Sequence, residues 1–407
     1  MSVRQSTALT QPTRGFNAAE FEARLNKAQN MMQQDKLAGV LLTTEHDINY
    51  FTGFLTQFWQ SPTRPWYVIL PATGKPIAVI PEIGVNCMKN GWVNDVRSWS
   101  SPHATDDGVS LLTEALIETV DQSIKQLGKA FAAIGINRGR ETHIRMPLND
   151  FDEVSAMLLE HNAASLFTDA THIMRKLRRV KSPAEIEKLF YIAQTVSGVF
   201  ENLFDFVEVG MKDSDIFRAF KIECLKAGVD DVAYLVGASD KDGYDDIISP
   251  PSGNVLQDGH VLILDTGCTF DGYYCDYDRN YAFGKVDDVA YHAYEAVWEA
   301  TEAGLSVCKP GNTCIDIFNA MNDVMQANGA MGDSVGRYGH GLGLQLTEPP
   351  SHTCWDDTVL EAGMVLTLEP GMIYAPHKMM VHEENIVITQ TGVEMLSRRS
   401  ESTMPTK

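Results

Sequence analysis

The sequence predicts two domains, an α/β domain followed by an α+β domain. The chain has 407 residues, and a domain usually has about 100–200. The first part alternates short apolar runs with amphipathic helical patterns, as α/β domains do. A basic segment without periodicity then precedes a strong helix start, after which helices come first and strands follow.

We expect residues 1–15 to be a polar tail and residues 16–175 to be the first domain. Asn17 followed by Glu20 predicts a helix start. The later elements follow from apolar runs separated by turn residues. They are a strand at 38–44, strands at 66–71 and 75–81, a helix near 109–128 and a strand at 132–136.

The second domain is expected at residues 178–407. Ser182, Pro183 and Glu185 form the sequence of a capping box with proline at the first helical position. The elements that follow are helices at 183–208 and 213–227, a strand and hairpin region at 260–284, a helix at about 287–307, a helix after 309–313, and short alternating strands up to the C-terminus.

The composition argues against several classes of protein. Asp and Glu outnumber Lys and Arg by 54 to 33, a formal charge of −21, which disfavours binding to nucleic acids and to anionic membranes. No apolar run approaches the ~18–20 residues of a membrane span, and the N-terminus does not read as a signal peptide. The seven cysteines contain no CxxC pair, so we expect reduced thiols and a cytoplasmic location.

Five residues of the second domain are candidate metal ligands: Asp265, Asp276, His340, Glu369 and Glu383. Asp265 ends the apolar run VLILD and Glu369 ends VLTLE, so both carboxylates close strands that should be buried. An unpaired buried charge costs roughly several kcal/mol of folding free energy. Four acids with a histidine therefore favour a bound cation.

This oxygen-rich set suits manganese, iron, cobalt or zinc, and the number of negative charges favours two divalent ions. Any one of the five residues alone also fits an ordinary turn, helix cap or ion pair. The metal interpretation depends on all five together.

The motifs around these residues resemble the aminopeptidase P, prolidase and creatinase family. The matching segments are LDTG(x)4GYxxD(x)2R with Asp265 and Asp276, GHGLGL with His340, TLEPGM with Glu369, HEEN(x)3T with Glu383, and the segments KSPAEIEK and KPGNTCIDI. The resemblance covers nearly the whole chain. It implies a creatinase-like N-terminal domain of α/β class, an α+β pita-bread catalytic domain that binds metal, and a homodimer.

The resemblance also implies a role for each ligand. Asp276 and Glu383 would bridge two ions, Asp265 would complete the shell of one, and His340 and Glu369 that of the other. Glu369 would be the catalytic residue that accepts and returns the proton of the water that attacks the amide carbon.

The sequence departs from the peptidases at three positions. They carry three further histidines, which hold the peptide and stabilise the tetrahedral intermediate, where this chain has Ile248, Gly336 and Thr347. Losing one such donor typically costs on the order of 10²–10³ in rate. Xaa-Pro cleavage by the standard mechanism is therefore in question, and a modified substrate range is expected.

Other polar residues are candidates for substrate binding. Strand periodicity puts Asp278 on the same face as Asp276, where it could be an extra ligand, a water-orienting acid or the partner of Arg279. Tyr338 is a candidate donor, or a packed tyrosine with a satisfied hydroxyl. His382 and Glu384 are expected to face away from Glu383, as a second layer or as surface.

The segment 47–70 resembles the creatinase segment whose Arg-Pro-aromatic tip enters the active site of the partner subunit. Arg64 would bind a substrate carboxylate there, flanked by Trp59 and Trp66, in an active site shared by two subunits. The alternative is a surface loop with an arginine stacked on tryptophan.

Three functions are therefore considered. The first is a two-metal hydrolase that cleaves a C–N bond, Xaa-Pro-like or another amide, in a small carboxylate-bearing or dipeptide-like substrate. The second is a metal-dependent lyase of the dimethylsulfoniopropionate-lyase type, although that branch carries an added Asp where this chain has Gly267. The third is a metal-free creatinase-like hydrolase or a non-catalytic binding module, whose members have lost the ligands.

Overall fold

The computed structural model describes residues 9–61, 64–161, 167–331 and 336–407. It divides into two compact units. The N-terminal unit comprises residues 15–178, and the C-terminal unit comprises residues 179–407 together with the segment that ends at Arg14. No helix in the described part of the chain is both long enough and apolar enough to cross a lipid bilayer.

The N-terminal unit is a six-stranded mixed sheet with helices. In chain order its elements are α1 (Ala18–Gln34), β1 (Leu37–Leu42), α2 (Glu45–Thr52), β2 (Tyr67–Pro71), β3 (Ile77–Pro81), α3 (Val85–Lys89), β4 (Asp95–Trp99), α4 (Val109–Leu127), β5 (Ala133–Ile136), α5 (Leu148–Glu160), β6 (Thr168–Asp169) and α6 (Thr171–Arg179). The strand order is β4-β3-β2-β1-β5-β6. Strands β1, β5 and β6 are parallel, as are β3 and β4, whereas β2 is antiparallel to both of its neighbours.

The core of this unit lies between the sheet and helix α4. Leu112, Ala115 and Leu116 of α4 are buried together with Leu41 of β1 and Ile69 of β2. This arrangement explains why the sequence alternates apolar strands with an amphipathic helix, and the expected α/β class is confirmed.

The C-terminal unit places helices beside antiparallel strands. Its elements are α7 (Pro183–Glu201), α8 (Asp213–Ala227), β7 (Asp231–Lys241), β8 (His260–Phe270), β9 (Tyr273–Tyr274), β10 (Tyr277–Phe283), α9 (Asp288–Val307), α10 (Cys314–Ala327), β11 (His340–Gly341), β12 (Glu348–Ser351), β13 (Val365–Leu368), β14 (Gly371–Ala375), β15 (Lys378–Val381), β16 (Glu384–Ile388) and β17 (Val393–Met395). One sheet has the order β10-β8-β7 with β9 beside β8, a second has the order β12-β11-β13-β16-β17, and β14 pairs with β15.

The start of α7 confirms the predicted capping box. The Ser182 hydroxyl accepts a hydrogen bond from the Glu185 backbone N–H, and the Glu185 carboxylate accepts one from the Ser182 N–H. The helix ends at Glu201, earlier than the expected 208, because a 3-10 turn at Leu203–Asp205 follows it.

Residues near the N-terminus pack against the C-terminal unit. Arg14 forms an ion pair with Asp230, and Lys188 donates a hydrogen bond of 2.6 Å to the Thr13 carbonyl. The last part of the expected polar tail therefore has partners, whereas residues 1–8 of that tail lie outside the described residues.

Candidate metal centre

The five candidate ligands come from different elements of the C-terminal unit. Asp265 lies in β8, Asp276 lies between β9 and β10, and His340 opens β11. Glu369 directly follows β13, and Glu383 directly precedes β16. The two larger sheets of the unit thus supply the candidate ligands. The expectation that Asp265 closes its strand is wrong, because β8 continues to Phe270 through its pairing with β7 and β9.

Measured distances bring four of these side chains together. His340 Nε2 lies 3.4 Å from Asp276 Oδ2 and 3.6 Å from Glu369 Oε1. Ligand atoms of Asp276, His340 and Glu383 all lie within 4.8 Å of one another, and these three residues are buried. This spacing is compatible with a shared cation.

Asp265 joins the same group through the β8–β10 pairing. Its Cα partner across the strands is Asp278, and its carboxylate accepts a hydrogen bond from the Tyr234 hydroxyl. Asp265 also interacts electrostatically with Asp276 and Glu369.

Burial and mutual repulsion shift the titration of the carboxylates. Burial raises the pKa of Asp265, Asp276 and Glu383 well above the usual range, and the neighbouring acids raise those of Asp265 and Glu383 further. Burial also raises the pKa of Glu369, against the attraction of His340, and burial lowers the pKa of His340 itself. Crowded carboxylates of this kind need protons or cations to be stable.

Three oxygen atoms of the group have no hydrogen-bond partner among the described residues. They are Asp265 Oδ1, Glu369 Oε1 and Glu383 Oε1, each of them buried as an atom. A buried carboxylate oxygen normally accepts a hydrogen bond or binds a metal. The donor set, four carboxylates and one imidazole, therefore fits divalent metal ions.

Hydrogen bonds behind the ligands fix their orientation. The His340 Nδ1 lies 2.8 Å from the Gly341 carbonyl. Because a carbonyl only accepts, Nδ1 carries the proton and Nε2 presents its lone pair to the carboxylates. The Asp276 N–H donates to Asn385 Oδ1 at 3.0 Å, and the Asn385 amide donates to the Asp276 carbonyl.

Two family models match the chain, and together they cover most of it. Residues 187–390 match metallopeptidase family M24, and residues 24–180 match the creatinase/prolidase N-terminal domain. The chain belongs to metallopeptidase family M24. Membership supports metal-dependent hydrolysis of a peptide bond.

Individual proteins resemble this M24 chain over nearly its whole length. The probable dipeptidase PepE of Mycobacterium tuberculosis is 27% identical over 392 residues, which cover 93% of this chain and 95% of that protein. The solved dipeptidase PepE of Mycobacterium ulcerans has a TM-score of 0.79 at 24% identity and covers 96% of this chain and 99% of its own. The solved prolidase of Thermococcus sibiricus has a TM-score of 0.82 at 20% identity, with 96% and 100% covered. The expected creatinase-like and pita-bread domains are confirmed.

Arg279 lies behind the M24 ligand cluster and pairs with an acid outside it. Its guanidinium donates to the backbone carbonyls of Asp278 and Glu383, at 2.6 and 2.8 Å, and to the Glu384 carboxylate at 3.0 Å. The Asp278 side chain forms no hydrogen bond with Arg279 in the described part of the chain, but the charge of Arg279 opposes the rise of the Asp278 pKa, so all three alternatives for Asp278 stay predictions. The Asp278 carboxylate is buried, and its pKa is raised by burial and by Asp265.

His382 and Glu384 belong to a buried layer behind Glu383. His382 Nδ1 lies 2.9 Å from the Thr301 hydroxyl, and its Nε2 lies 2.7 Å from the Ser400 hydroxyl. Both residues are at most 1% exposed, so the surface alternative is wrong and the second-layer alternative is confirmed.

Tyr338 packs in the apolar core of the unit. Its ring stacks on Phe318 with centroids 4.8 Å apart, and its hydroxyl donates to Asn322 Oδ1 at 3.2 Å. This geometry favours the packed-tyrosine interpretation over a substrate donor.

The positions of the missing histidines hold no equivalent donor. The Ile248 side chain is 79% exposed, and Gly336 has a positive φ of 75°. The Thr347 hydroxyl accepts a bond of 3.3 Å from Arg337, whose Nε lies 3.7 Å from Glu369 Oε1. Sequence reasoning missed Arg337, although it stands three residues before His340, just ahead of the GHGLGL motif.

Arg64, Trp59 and Trp66 lie in the N-terminal unit. Both tryptophans are buried and pack against each other, with ring centroids 6.1 Å apart, and Arg64 lies 5.8 Å from the Phe58 ring centroid. Their proposed contribution to the active site of a partner subunit stays a prediction. Pro62 and Thr63 of the same segment lie outside the described residues.

Arg145 is the residue that holds this segment, and sequence reasoning missed it. Its guanidinium stacks 5.0 Å from the Trp59 ring centroid and donates to the carbonyls of Trp59, Ser61 and Arg64. The arginine stacked on tryptophan is thus Arg145, whereas the expected stacking involved Arg64.

Proposed function

We propose that the chain is a two-metal hydrolase that cleaves the amide bond of a dipeptide-like substrate or another small substrate bearing a carboxylate. One observation supports the proposal: ligand atoms of Asp276, His340 and Glu383 lie within 4.8 Å of one another, and three buried oxygens of the five predicted ligands have no partner among the described residues. The M24 membership and the dipeptidase and prolidase names of its relatives support the same reaction.

The assignment of ligands follows the order of the motifs. Asp276 and Glu383 would be shared between two ions, Asp265 would belong to one of them, and His340 and Glu369 to the other. Manganese, iron, cobalt and zinc all suit this set. When bound, such ions supply Lewis-acid activation of the water and of the substrate carbonyl.

Glu369 is one of two partly exposed members of the cluster, the other being Asp265. Its side chain is 23% exposed, whereas those of Asp276 and His340 are 6% and 3% exposed. We assign to Glu369 the proton transfer from the attacking water to the departing amine.

We expect the substrate range to differ from that of the Xaa-Pro peptidases. Xaa-Pro dipeptides are the family's default substrates, but the three histidine positions are occupied by Ile248, Gly336 and Thr347. We therefore expect efficient hydrolysis of other small carboxylate-bearing amides, with slow cleavage of Xaa-Pro peptides.

A metal-reconstituted activity screen tests the function. The full chain is loaded with each metal and offered Xaa-Pro and other dipeptides, creatine-like amides, and sulfonium or betaine carboxylates. Hydrolysis of at least one amide, abolished by Glu369→Ala and retained by the exposed control Glu299→Ala, is the expected result. Fewer than one transition ion per chain after reconstitution would contradict the proposal.

The same screen tests the lyase alternative, since that reaction would release acrylate from dimethylsulfoniopropionate. The added aspartate expected of the lyase branch would stand at Gly267. A Cβ atom there would lie 2.5 Å from Leu346 and 2.7 Å from Tyr234, so the packing leaves no room for it. No structural observation favours the lyase over the hydrolase.

A further inference from the structure

Arg337 places a guanidinium beside Glu369, a partly exposed acid of the metal cluster. Its Nε lies 3.7 Å from Glu369 Oε1, and the two side chains are 32% and 23% exposed. Asp276, His340 and Glu383 are buried, and Asp265 is partly buried, so the guanidinium lies on an accessible side of the cluster.

Most of the donors of Arg337 are uncommitted. A separation of 3.7 Å exceeds hydrogen-bond range, and the bond to Thr347 Oγ1 is the single hydrogen bond of this guanidinium within the described ranges. Since a guanidinium carries five N–H donors, it can still bind another anion.

Arg337 can be reached from solvent. Its side chain is 32% exposed, and its Nε lies beyond hydrogen-bond range of the neighbouring Glu369 carboxylate. An anion that enters from solvent can therefore bind the guanidinium.

We propose that Arg337 binds the carboxylate of the substrate and makes a free carboxylate near the scissile bond a requirement for tight binding. The inference rests on the proposed function and adds the residue that recognises the carboxylate of the substrate. It assigns the carboxylate contact to a residue of the C-terminal unit, where the resemblance implied Arg64. A planar guanidinium suits this role because it binds a carboxylate through two parallel hydrogen bonds.

The test compares acids with their amides on the full, manganese-loaded chain. Steady-state kinetics use Ala-Leu and Ala-Pro and the same dipeptides with C-terminal amides. Calorimetry measures the binding of L-proline and L-prolinamide, which needs no turnover. The variants are Arg337→Met and Arg337→Lys, and the matched control is Arg218→Met, which removes a surface charge that pairs with Asp215 on α8.

Arg337→Met should raise KM for the free dipeptides, and Kd for L-proline, by about ten- to a hundredfold, because it removes a charge-assisted contact. Both constants should stay unchanged for the amides, and manganese content should stay that of the wild type. KM and Kd of Arg337→Lys should lie between those of the wild type and those of Arg337→Met. Both constants of Arg218→Met should equal those of the wild type.

Equal losses for acids and amides, or no loss at all, would overturn the inference, as would a wild type that does not bind L-proline. Should the wild type hydrolyse no dipeptide while L-proline binding still depends on Arg337, the proposed function fails and the anion site stands. Loss of manganese in Arg337→Met would show a structural role instead.

Discussion

Glu384 is fully buried and compensates the charge of Arg279, which in turn donates hydrogen bonds to the backbone carbonyls of Asp278, Glu383 and Arg398. Glu384 accepts hydrogen bonds from Arg279, from the Ser397 hydroxyl and from the Ser400 N–H. Breaking a buried pair leaves an uncompensated charge, and this costs far more than breaking an exposed one. Electrostatic interactions therefore stabilise the layer behind the predicted ligands as much as packing does.

Glu384→Gln should therefore lower the free energy of unfolding by about 3–5 kcal/mol. Urea denaturation of the metal-free chain measures the change. The matched control is Glu201→Gln, whose ion pair with Arg398 is exposed and should contribute about 0–1 kcal/mol. Similar losses in the two variants would contradict the argument.

His352 should make the C-terminal unit sensitive to acid. Burial, and then the neighbouring His340, lower the pKa of His352 to about 3, and its Nε2 lies 3.0 Å from the Thr367 carbonyl. The unfolded chain binds this proton near pH 6.5 but the folded chain does not. The contribution of His352 to the free energy of unfolding is therefore fully present above about pH 6.5. It falls by about 1.4 kcal/mol for each pH unit between pH 6.5 and pH 3.

The measurement is the difference between wild type and His352→Gln in unfolding free energy from pH 7.5 to 5. The difference should shrink as the pH falls, because only the wild type loses this contribution. A difference that is constant with pH would contradict the assignment.

At the level of elements, β11 depends on the glycine before it. Gly339 has a φ of +137°, and a Cβ atom there would clash with the Thr367 carbonyl oxygen and with the His352 ring. Gly339→Ala should cost about 2–4 kcal/mol and displace His340.

Thermal unfolding and manganese titration of Gly339→Ala test this, with weaker metal binding as the second expected effect. Gly392→Ala is the control, because a Cβ atom at 392 meets nothing within 4 Å. Unchanged metal affinity in Gly339→Ala would show that β11 does not position its histidine.

The elements that the sequence predicted best are those with a local signal. Ser182, with proline and glutamate after it, predicted the start of α7. The apolar run that ends at Asp265 predicted β8. Strand β7 was missed, because its residues Asp231–Lys241 alternate only weakly and Gly237 interrupts them. It is a strand because it pairs along the whole length of β8, and this contact is not local in the sequence.

The candidate site shows the same difference between residues with a local sequence signal and residues placed by non-local contacts. The resemblance of five motifs to the family predicted the five ligands, of which four lie at or next to a strand end and one, Asp265, lies within β8. Arg337 and Arg145 act on groups distant in sequence, through Glu369 in one case and the carbonyls of 59–64 in the other. No spacing rule predicts such contacts, because they depend on how loops are placed by the completed fold.

For the whole molecule, metal binding should stabilise one unit. All five predicted ligands lie in the C-terminal unit, so manganese in 100-fold excess over its dissociation constant should add about 2.7 kcal/mol to the stability of that unit. Differential scanning calorimetry should show its transition move to higher temperature while that of residues 15–178 stays in place. Asp276→Asn should abolish the shift, and an equal shift in that variant would contradict the predicted site.

Because acidic side chains crowd around His340, we expect the binding of a cation to release protons. The raised pKa values of Asp265, Asp276 and Glu383 favour the protonated forms of these carboxyl groups, and an arriving cation competes with those protons. Loading the empty enzyme should thus acidify an unbuffered solution, and the heat of loading should vary with the ionisation enthalpy of the buffer. Availability of the metal and acidity of the surroundings would then jointly set how much of the enzyme is active.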